Sequence, residues 1–272
     1  MGRTRHFMAH NHSYRLTHGY ACGVFASFAL FCAFGSPGPA IAAGPDCPDP
    51  QAALEVQAGW LADAKATAGI RILAIGSSST QGIGASGPSF TYPAQLQSRL
   101  SALLGQEVEV DNQGIGGETI RATVGRLQAA LTAGKPDLVI WQVGTNDAVI
   151  GEDETAFRDS LQQGLSALRA AKAPFVLLDP QFYPGLRDVA RYERYVHIIH
   201  EMGALNGAAV FSRYALMKAW GGEPGGVLGA MLSKDQFHMS DRGYGCLARD
   251  LAIDLAPFWR PHASQAGGAT SG

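Results

Sequence analysis

Five short apolar runs separated by longer helical patterns constrain this chain more than any other feature. The runs are Arg71 to Ile75, Glu107 to Asp111, Leu138 to Val143, Phe175 to Asp179 and Ala209 to Phe211. Apolar residues recur at helical spacing over about Tyr92 to Leu104, Thr119 to Ala133, Glu154 to Ala171, Asp188 to Asn206 and Asp241 to Phe258. Strands that alternate with helices pair in parallel, because the helix supplies the crossover, and the sheet is then covered on both faces. The expected fold is therefore an α/β three-layer sandwich around a five-stranded parallel sheet. Right-handed crossovers bring the carboxyl ends of the strands to one edge, where such sheets place their ligands. A further helix is expected outside the sheet from about Gln51 to Ala66. The segments Pro180 to Arg187 and Ala215 to Asp235 read as long loops at the functional edge.

The first run, Ile72-Leu-Ala-Ile-Gly-Ser-Ser-Ser-Thr-Gln-Gly82, ends at a glycine and delivers three serines and a threonine. Gly76 permits a tight turn that would aim a hydroxyl into a cleft. The same hydroxyls could cap a helix instead. A phosphate-cradling loop lacks its lysine here, and the glycine spacing of a dinucleotide site is not met. On this reading Ser77, Ser78 and Ser79 compete for the role of nucleophile.

Later strands end in complementary chemistry. The second leads into Asn112-Gln-Gly-Ile-Gly-Gly-Glu-Thr119, the third into Gly144-Thr-Asn-Asp147, and Asp235-Gln-Phe-His238 precedes the last helix. Ester hydrolysis by a serine needs a base, a group that orients the base, and donors for the developing oxyanion. His238 is the candidate base and Asp235 its orienting acid. Glycines near 117 can aim a backbone N–H at the substrate, and Asn146 can add a side-chain N–H. Phe182, Tyr183, Tyr214 and Trp220, on the two long loops, are candidate substrate contacts, whereas Trp141 lies in an apolar strand and reads as core. His197 and His200 share a helix with Glu193 and Glu201, and that face reads as solvated, with no metal assigned.

Outside this region the sequence bounds location and partners. Arg3, Arg5 and Arg15 precede the apolar run Ala21 to Phe34 and the small residues Ala40-Ile-Ala-Ala43, which is the order of a secretory signal peptide over 1–43. The apolar run is short for a membrane span, which needs about 20 residues, so no stable span is expected after cleavage. Residues 44–69 then form an extension, 70–260 the catalytic domain, and 261–272 a disordered tail rich in Ala, Gly and Ser. Loss of the leader leaves Cys47 and Cys246, which in an oxidising compartment could pair or could remain a loop thiol and a buried apolar residue. A formal net charge of -2, with no basic cluster in the body of the chain, excludes the electrostatic footprint of a nucleic-acid binder.

The four clusters resemble, in order, blocks of the SGNH or GDSL hydrolase family. Gly76-Ser-Ser-Ser-Thr80 is similar to the first, with Ser78 in the nucleophile position. Asn112 to Gly117 resembles the second, with Gly117 as oxyanion glycine, Gly144 to Asp147 the third, with Asn146 as oxyanion side chain, and Asp235 to His238 the block that carries acid and base. The resemblance implies a flavodoxin-like fold, no required cofactor or metal, and hydrolysis of esters or thioesters through an acyl-enzyme. Its expected site is Ser78, Asp235 and His238, with the oxyanion held by Ser78, Gly117 and Asn146. Small-molecule, lipid or acylated-glycan esters are the expected substrates, in the periplasm or outside the cell. An O-acetyltransferase or deacetylase acting on polysaccharide would use the same residues. One position departs from the family: Ser77 stands where the block usually carries an aspartate.

Overall fold

The computed structural model describes residues 47–49, 53–55, 69–222 and 226–259. Its strands are β1 (Leu54–Glu55), β2 (Ile70–Gly76), β3 (Val108–Gly114), β4 (Leu138–Gln142), β5 (Phe175–Leu178) and β6 (Ala209–Phe211). Between them run α1 (Ser78–Gln81), α2 (Tyr92–Leu104), α3 (Ile120–Ala133), α4 (Thr145–Ile150), α5 (Glu154–Ala170), α6 (Val189–Asn206), α7 (Arg213–Gly222), α8 (Leu228–Met231) and α9 (Asp241–Leu255).

The sheet order is β1-β6-β5-β4-β2-β3. The five strands read from sequence are parallel, in the flavodoxin-like order β3-β2-β4-β5-β6. From β2 the chain goes to β3 on one side and, by way of α3, to β4 on the other. The carboxyl ends of β2 and β4 therefore flank the topological switch point, the usual ligand crevice of such sheets.

Strand side chains alternate strictly between two cores. Ile72, Leu138, Ile140, Val176, Leu178 and Phe211 face the helices α2, α7, α8 and α9. Leu73, Ile75, Val139, Trp141, Phe175, Leu177 and Val210 face α3, α5 and α6. Trp141 is wholly buried against Gly164 of α5, where a Cβ would come within 2.1 Å of the indole.

Three features differ from the sequence reading. The sheet has a sixth strand, because Leu54 and Glu55 pair antiparallel with Phe211 and Val210 and do not extend a helix from 51. The outer edge of β6 presents unpaired backbone groups, and a strand satisfies them where a helix cannot. The rest of the expected helix, the 1–43 leader and the 261–272 tail lie outside the described residues. The stretch after Phe211 is helical: Tyr214, Met217 and Trp220 recur at helical spacing, all buried, while Gly221, Gly222 and Pro224 disguise the helix as a loop. Finally, α9 stops at Leu255 and tightens into a 3-10 turn over Ala256–Phe258, since Pro257 has no N–H to continue it.

Candidate active site

The turn that carries the candidate nucleophiles is built by close packing at the end of β2. A Cβ on Gly76 would sit 2.6 Å from Thr80 Oγ1 and 2.8 Å from Gln142 Cβ, so only glycine lets the chain turn there. A Cβ on Gly114 would fall 1.9 Å from Gln81 N, so the end of β3 lies directly against α1. The one-turn helix that results carries Ser78 and Ser79, with Ser77 as its N-cap, and each hydroxyl has a different partner. Ser77 donates to Gln142 Oε1 through both N–H (2.8 Å) and hydroxyl (3.0 Å). Ser79 donates to Gln181 Oε1 at 2.7 Å. Ser78 Oγ lies 2.9 Å from His238 Nε2. Only the middle serine meets an imidazole.

His238, the expected base, is presented by a closed loop. An antiparallel bridge between Leu232 and Met239, with Ser233 N–H donating to His238 O at 2.8 Å, pinches the segment shut. Gln236 takes the left-handed conformation at φ 55° to make the turn. Asp235 then folds back over its own loop: Oδ1 accepts from Phe237 N–H and His238 N–H, both at 2.9 Å, and from the Ser233 hydroxyl at 2.7 Å. Its Oδ2 lies 2.6 Å from His238 Nδ1. Burial alone would raise the Asp235 carboxyl, but the hydrogen bonds from the His238 ring, Phe237, Ser233 and the His238 backbone outweigh it and hold the group well below the usual range. An ionised Asp235 can only accept, so the ring proton belongs on Nδ1, leaving Nε2 to accept from Ser78.

The residues expected around the oxyanion come from the loops after β3 and β4. Gly117 has φ 80° at the third position of a turn closed by Glu118 N–H to Ile115 O at 3.4 Å, a conformation that favours glycine. The preceding Gly116 donates to Gln81 Oε1 at 2.8 Å, and a Cβ there would sit 3.8 Å from Ser78 Cβ. The loop thus runs alongside the nucleophile. Asn146 donates one amide hydrogen to Glu118 O at 2.7 Å; the other remains for a substrate oxygen. Asp147 accepts from Ile120 N–H at 3.0 Å. Burial pushes its carboxyl up to about 6 even against that hydrogen bond.

Three supporting side chains had not been singled out from sequence. Gln142 takes the Ser77 donors at the end of β4. Gln181 links Ser79 to Phe237 O, donating at 2.8 Å. Arg126 of α3 grips Glu118 through Nε at 3.0 Å and Gln113 O through Nη1 at 2.9 Å, tying the oxyanion loop to the end of β3. Gln142 left one signal, an amide closing an otherwise apolar run.

Of the proposed substrate contacts, Tyr183 packs edge-on against Phe237 at 4.7 Å, and Phe237 against the His238 ring at 4.8 Å. Phe182 packs against Tyr214 at 5.7 Å. Tyr214 and Trp220 belong to the cores, because α7 turns them inward. His200 also departs from expectation. It is mostly covered, with Nε2 3.1 Å from buried Asp179 Oδ2 and Nδ1 3.0 Å from Glu55 Oε2; His197 is exposed.

An open cleft of about 700 Å³ is lined by Gly84, Leu232, Lys234, Asp235, Asp241 and Arg242. A smaller one of about 200 Å³, lined by Arg71, Glu109, Asp111 and Pro136, runs along β2 and β3 beside the end of α3, and none of Ser78, Asp235 and His238 lines it. Among the described residues no cluster of three or more His, Cys, Asp or Glu could hold a metal, and no helix is long and apolar enough to cross a membrane.

Comparisons with known proteins meet this site from another direction. Among curated sequences nothing matches. TesA is 26% identical with a TM-score of 0.60, over 69% of this chain and 99% of its own. The lipase/acylhydrolase from Enterococcus faecalis is 24% identical with a TM-score of 0.61, over 71% and 98%. The acetyl xylan esterase AlAXEase is 21% identical with a TM-score of 0.59, over 68% and 100%. The last two likenesses speak to the fold alone. Residues 46–256 match the sequence model of the non-GDSL lipase-like family, and across that span lie the turn that reads Gly-Ser-Ser, the loop of Gly117 and the loop of Asp235 and His238. The chain belongs to the non-GDSL lipase-like family.

Proposed function

We propose that this chain, an ester hydrolase, cleaves carboxylic esters or thioesters outside the cytoplasm through an acyl-enzyme on Ser78. The observation that carries the reading is the continuous relay from Ser78 Oγ to His238 Nε2 at 2.9 Å and from His238 Nδ1 to Asp235 at 2.6 Å. Ser78 attacks the acyl carbonyl while His238 takes its proton, and ionised Asp235 stabilises the imidazolium that forms. The oxyanion is met by the backbone N–H groups of Ser78 and Gly117 and by the second amide hydrogen of Asn146. His238 then protonates the leaving alcohol or thiol, and afterwards removes a proton from the water that releases the acid.

One observation favours an apolar acyl group and another the compartment. Ile83, Ile115, Val149 and Ile150, on the segments that follow α1, β3 and β4, are each at least 40% exposed, an apolar set on the loops that build the site. The leader-like amino terminus and the bond between Cys47 and Cys246 favour an oxidising compartment.

The test is hydrolysis of p-nitrophenyl esters by wild type and Ser78→Ala. The variant should lose at least about 10³-fold in kcat; equal rates would refute the assignment. In an acyl series from acetate to octanoate, kcat/KM should rise beyond acetate. A steady decline from acetate would point to an acetylated glycan or other acetyl ester.

A further inference from the structure

We propose that Gln181 is a positioning residue that holds the nucleophile turn and the base loop at reacting distance, a role that rests on the Ser78–His238 reading above. Gln181 lies just past β5, wholly buried. Its side chain spans two segments far apart in sequence: Oε1 accepts from the Ser79 hydroxyl at 2.7 Å, and Nε2 donates to Phe237 O at 2.8 Å. Ser79 follows Ser78 and Phe237 precedes His238, so one rigid carboxamide connects the neighbours of both reacting residues. The backbone carbonyl of Gln181 in turn accepts from the Tyr192 hydroxyl at 2.8 Å, which anchors the main chain at 181 to α6.

The orientation of the amide is determined by its partners. Phe237 O can only accept, so Nε2 must face it; Oε1 must then face Ser79, whose hydroxyl is the donor. A buried amide satisfied at both ends has one stable arrangement. The nucleophile turn needs such a brace, because α1 has only four residues and a single helical turn does not hold itself in place. Loss of the brace leaves Ser78 and His238 intact and lets the distance between them drift.

The experiment compares wild type, Gln181→Met, Gln181→Glu, Ser79→Ala and Ser78→Ala for kcat, KM and pH profile on a p-nitrophenyl ester, with thermal melts as the check on folding. Gln181→Met keeps the length but neither hydrogen bond. Its kcat should fall by about 10- to 100-fold, the range that small misplacement of reacting groups produces, with KM changed by less than threefold. Gln181→Glu gives a more specific signature. A protonated carboxyl can donate to Phe237 O and accept from Ser79, whereas a carboxylate repels the Phe237 carbonyl. The wild-type rate should rise with pH to a plateau, while the Gln181→Glu rate should fall again on the alkaline side, giving a bell. The other titratable groups on the segments around position 181, Tyr192, Tyr183, Asp179, Arg213 and His238, are present in both proteins, so the new limb belongs to Glu at 181.

A folded Gln181→Met with kcat within twofold of wild type, or a Gln181→Glu profile superimposable on wild type, would overturn the proposal. Should both substitutions prevent folding, Ser79→Ala decides: lower kcat at unchanged KM supports the role, and wild-type kcat overturns it. Inactive Ser78→Ala beside fully active Gln181→Met rejects only the positioning role. Active Ser78→Ala rejects the catalytic reading and the positioning role together.

Discussion

Position 77 shows how a single residue can replace a family feature without leaving a gap. Where the resembling block usually has an aspartate, Ser77 gives both N–H and hydroxyl to Gln142 Oε1, which also lies 3.4 Å from Thr80 Oγ1. A neutral amide thus collects donors from both ends of the turn. Ser78, Gly117, Asn146, Asp235 and His238 could be picked out of the sequence as candidates, because acyl transfer demands those residue types at strand ends, and the structure brings Ser78, His238 and Asp235 within hydrogen-bonding reach of one another. Gln142, Gln181 and Arg126 could not be picked out, because the partner of an amide or guanidinium is set by which strands become neighbours. Asp147 was read only as part of a turn-like string, yet it is the buried acceptor that starts α3. Its carboxyl, raised to about 6 by burial, makes a testable contribution to stability. With the folded value above the unfolded one, that contribution is present below about pH 4 and is lost as pH rises through about 6. Asp147→Asn keeps an acceptor for Ile120 and carries no charge. Urea melts should show the two proteins alike near pH 4, with the variant gaining up to the order of 3 kcal/mol by pH 8. A constant difference across that range would refute the account.

Elements with a clean period came through well. α2 has the bounds that spacing gave it, and α3, α5 and α6 differ by one residue at an end. Elements defined by tertiary partners did not. β1 is two residues long, and nothing local distinguishes it from a helix; it exists because β6 would otherwise end the sheet. His200 of α6 explains how this short strand is held, with Glu55 of β1 on one ring nitrogen and buried Asp179, at the end of β5, on the other. Burial alone would lower the His200 pKa, but the hydrogen bonds and charges of Asp179 and Glu55 raise it on balance. A raised histidine stabilises fully below its unfolded value, about 6.5, and loses that contribution as pH climbs through the folded value. The stability advantage of wild type over His200→Gln should therefore be largest near pH 5.5 and shrink by pH 8.5, as read from urea midpoints. An advantage that is flat, or that grows with pH, would show that the ring acts through packing and not through charge.

At the scale of the whole molecule, the parallel sheet followed from alternation alone, and the fate of the amino-terminal segment did not. That segment is fastened along one face of α9. Cys47 bonds Cys246, Pro48 O accepts from Arg249 Nη2 at 2.6 Å, and Asp254 Oδ2 accepts from Leu54 N–H at 3.1 Å. Spacings of three and five residues along α9 keep these anchors within about 140° of its circumference, on one side of the helix. Sequence left the two cysteines open between pairing and independent roles, since a bond between them needs a geometry that only the packed helix supplies. The bond closes a separation of 199 residues, for which restriction of the unfolded chain alone gives roughly 5 kcal/mol, although native bridges more often contribute about 2–4. None of the three anchors on α9 touches Ser78, His238 or Asp235, so stability and turnover should separate cleanly. The double substitution Cys47→Ala with Cys246→Ala should lower unfolding free energy by about 2–5 kcal/mol and leave kcat on a p-nitrophenyl ester within twofold. Dithiothreitol should bring wild type toward the midpoint of the double variant without moving the variant itself. A double variant as stable as oxidised wild type would mean that Arg249, Asp254 and the β1–β6 pairing hold the amino-terminal segment by themselves.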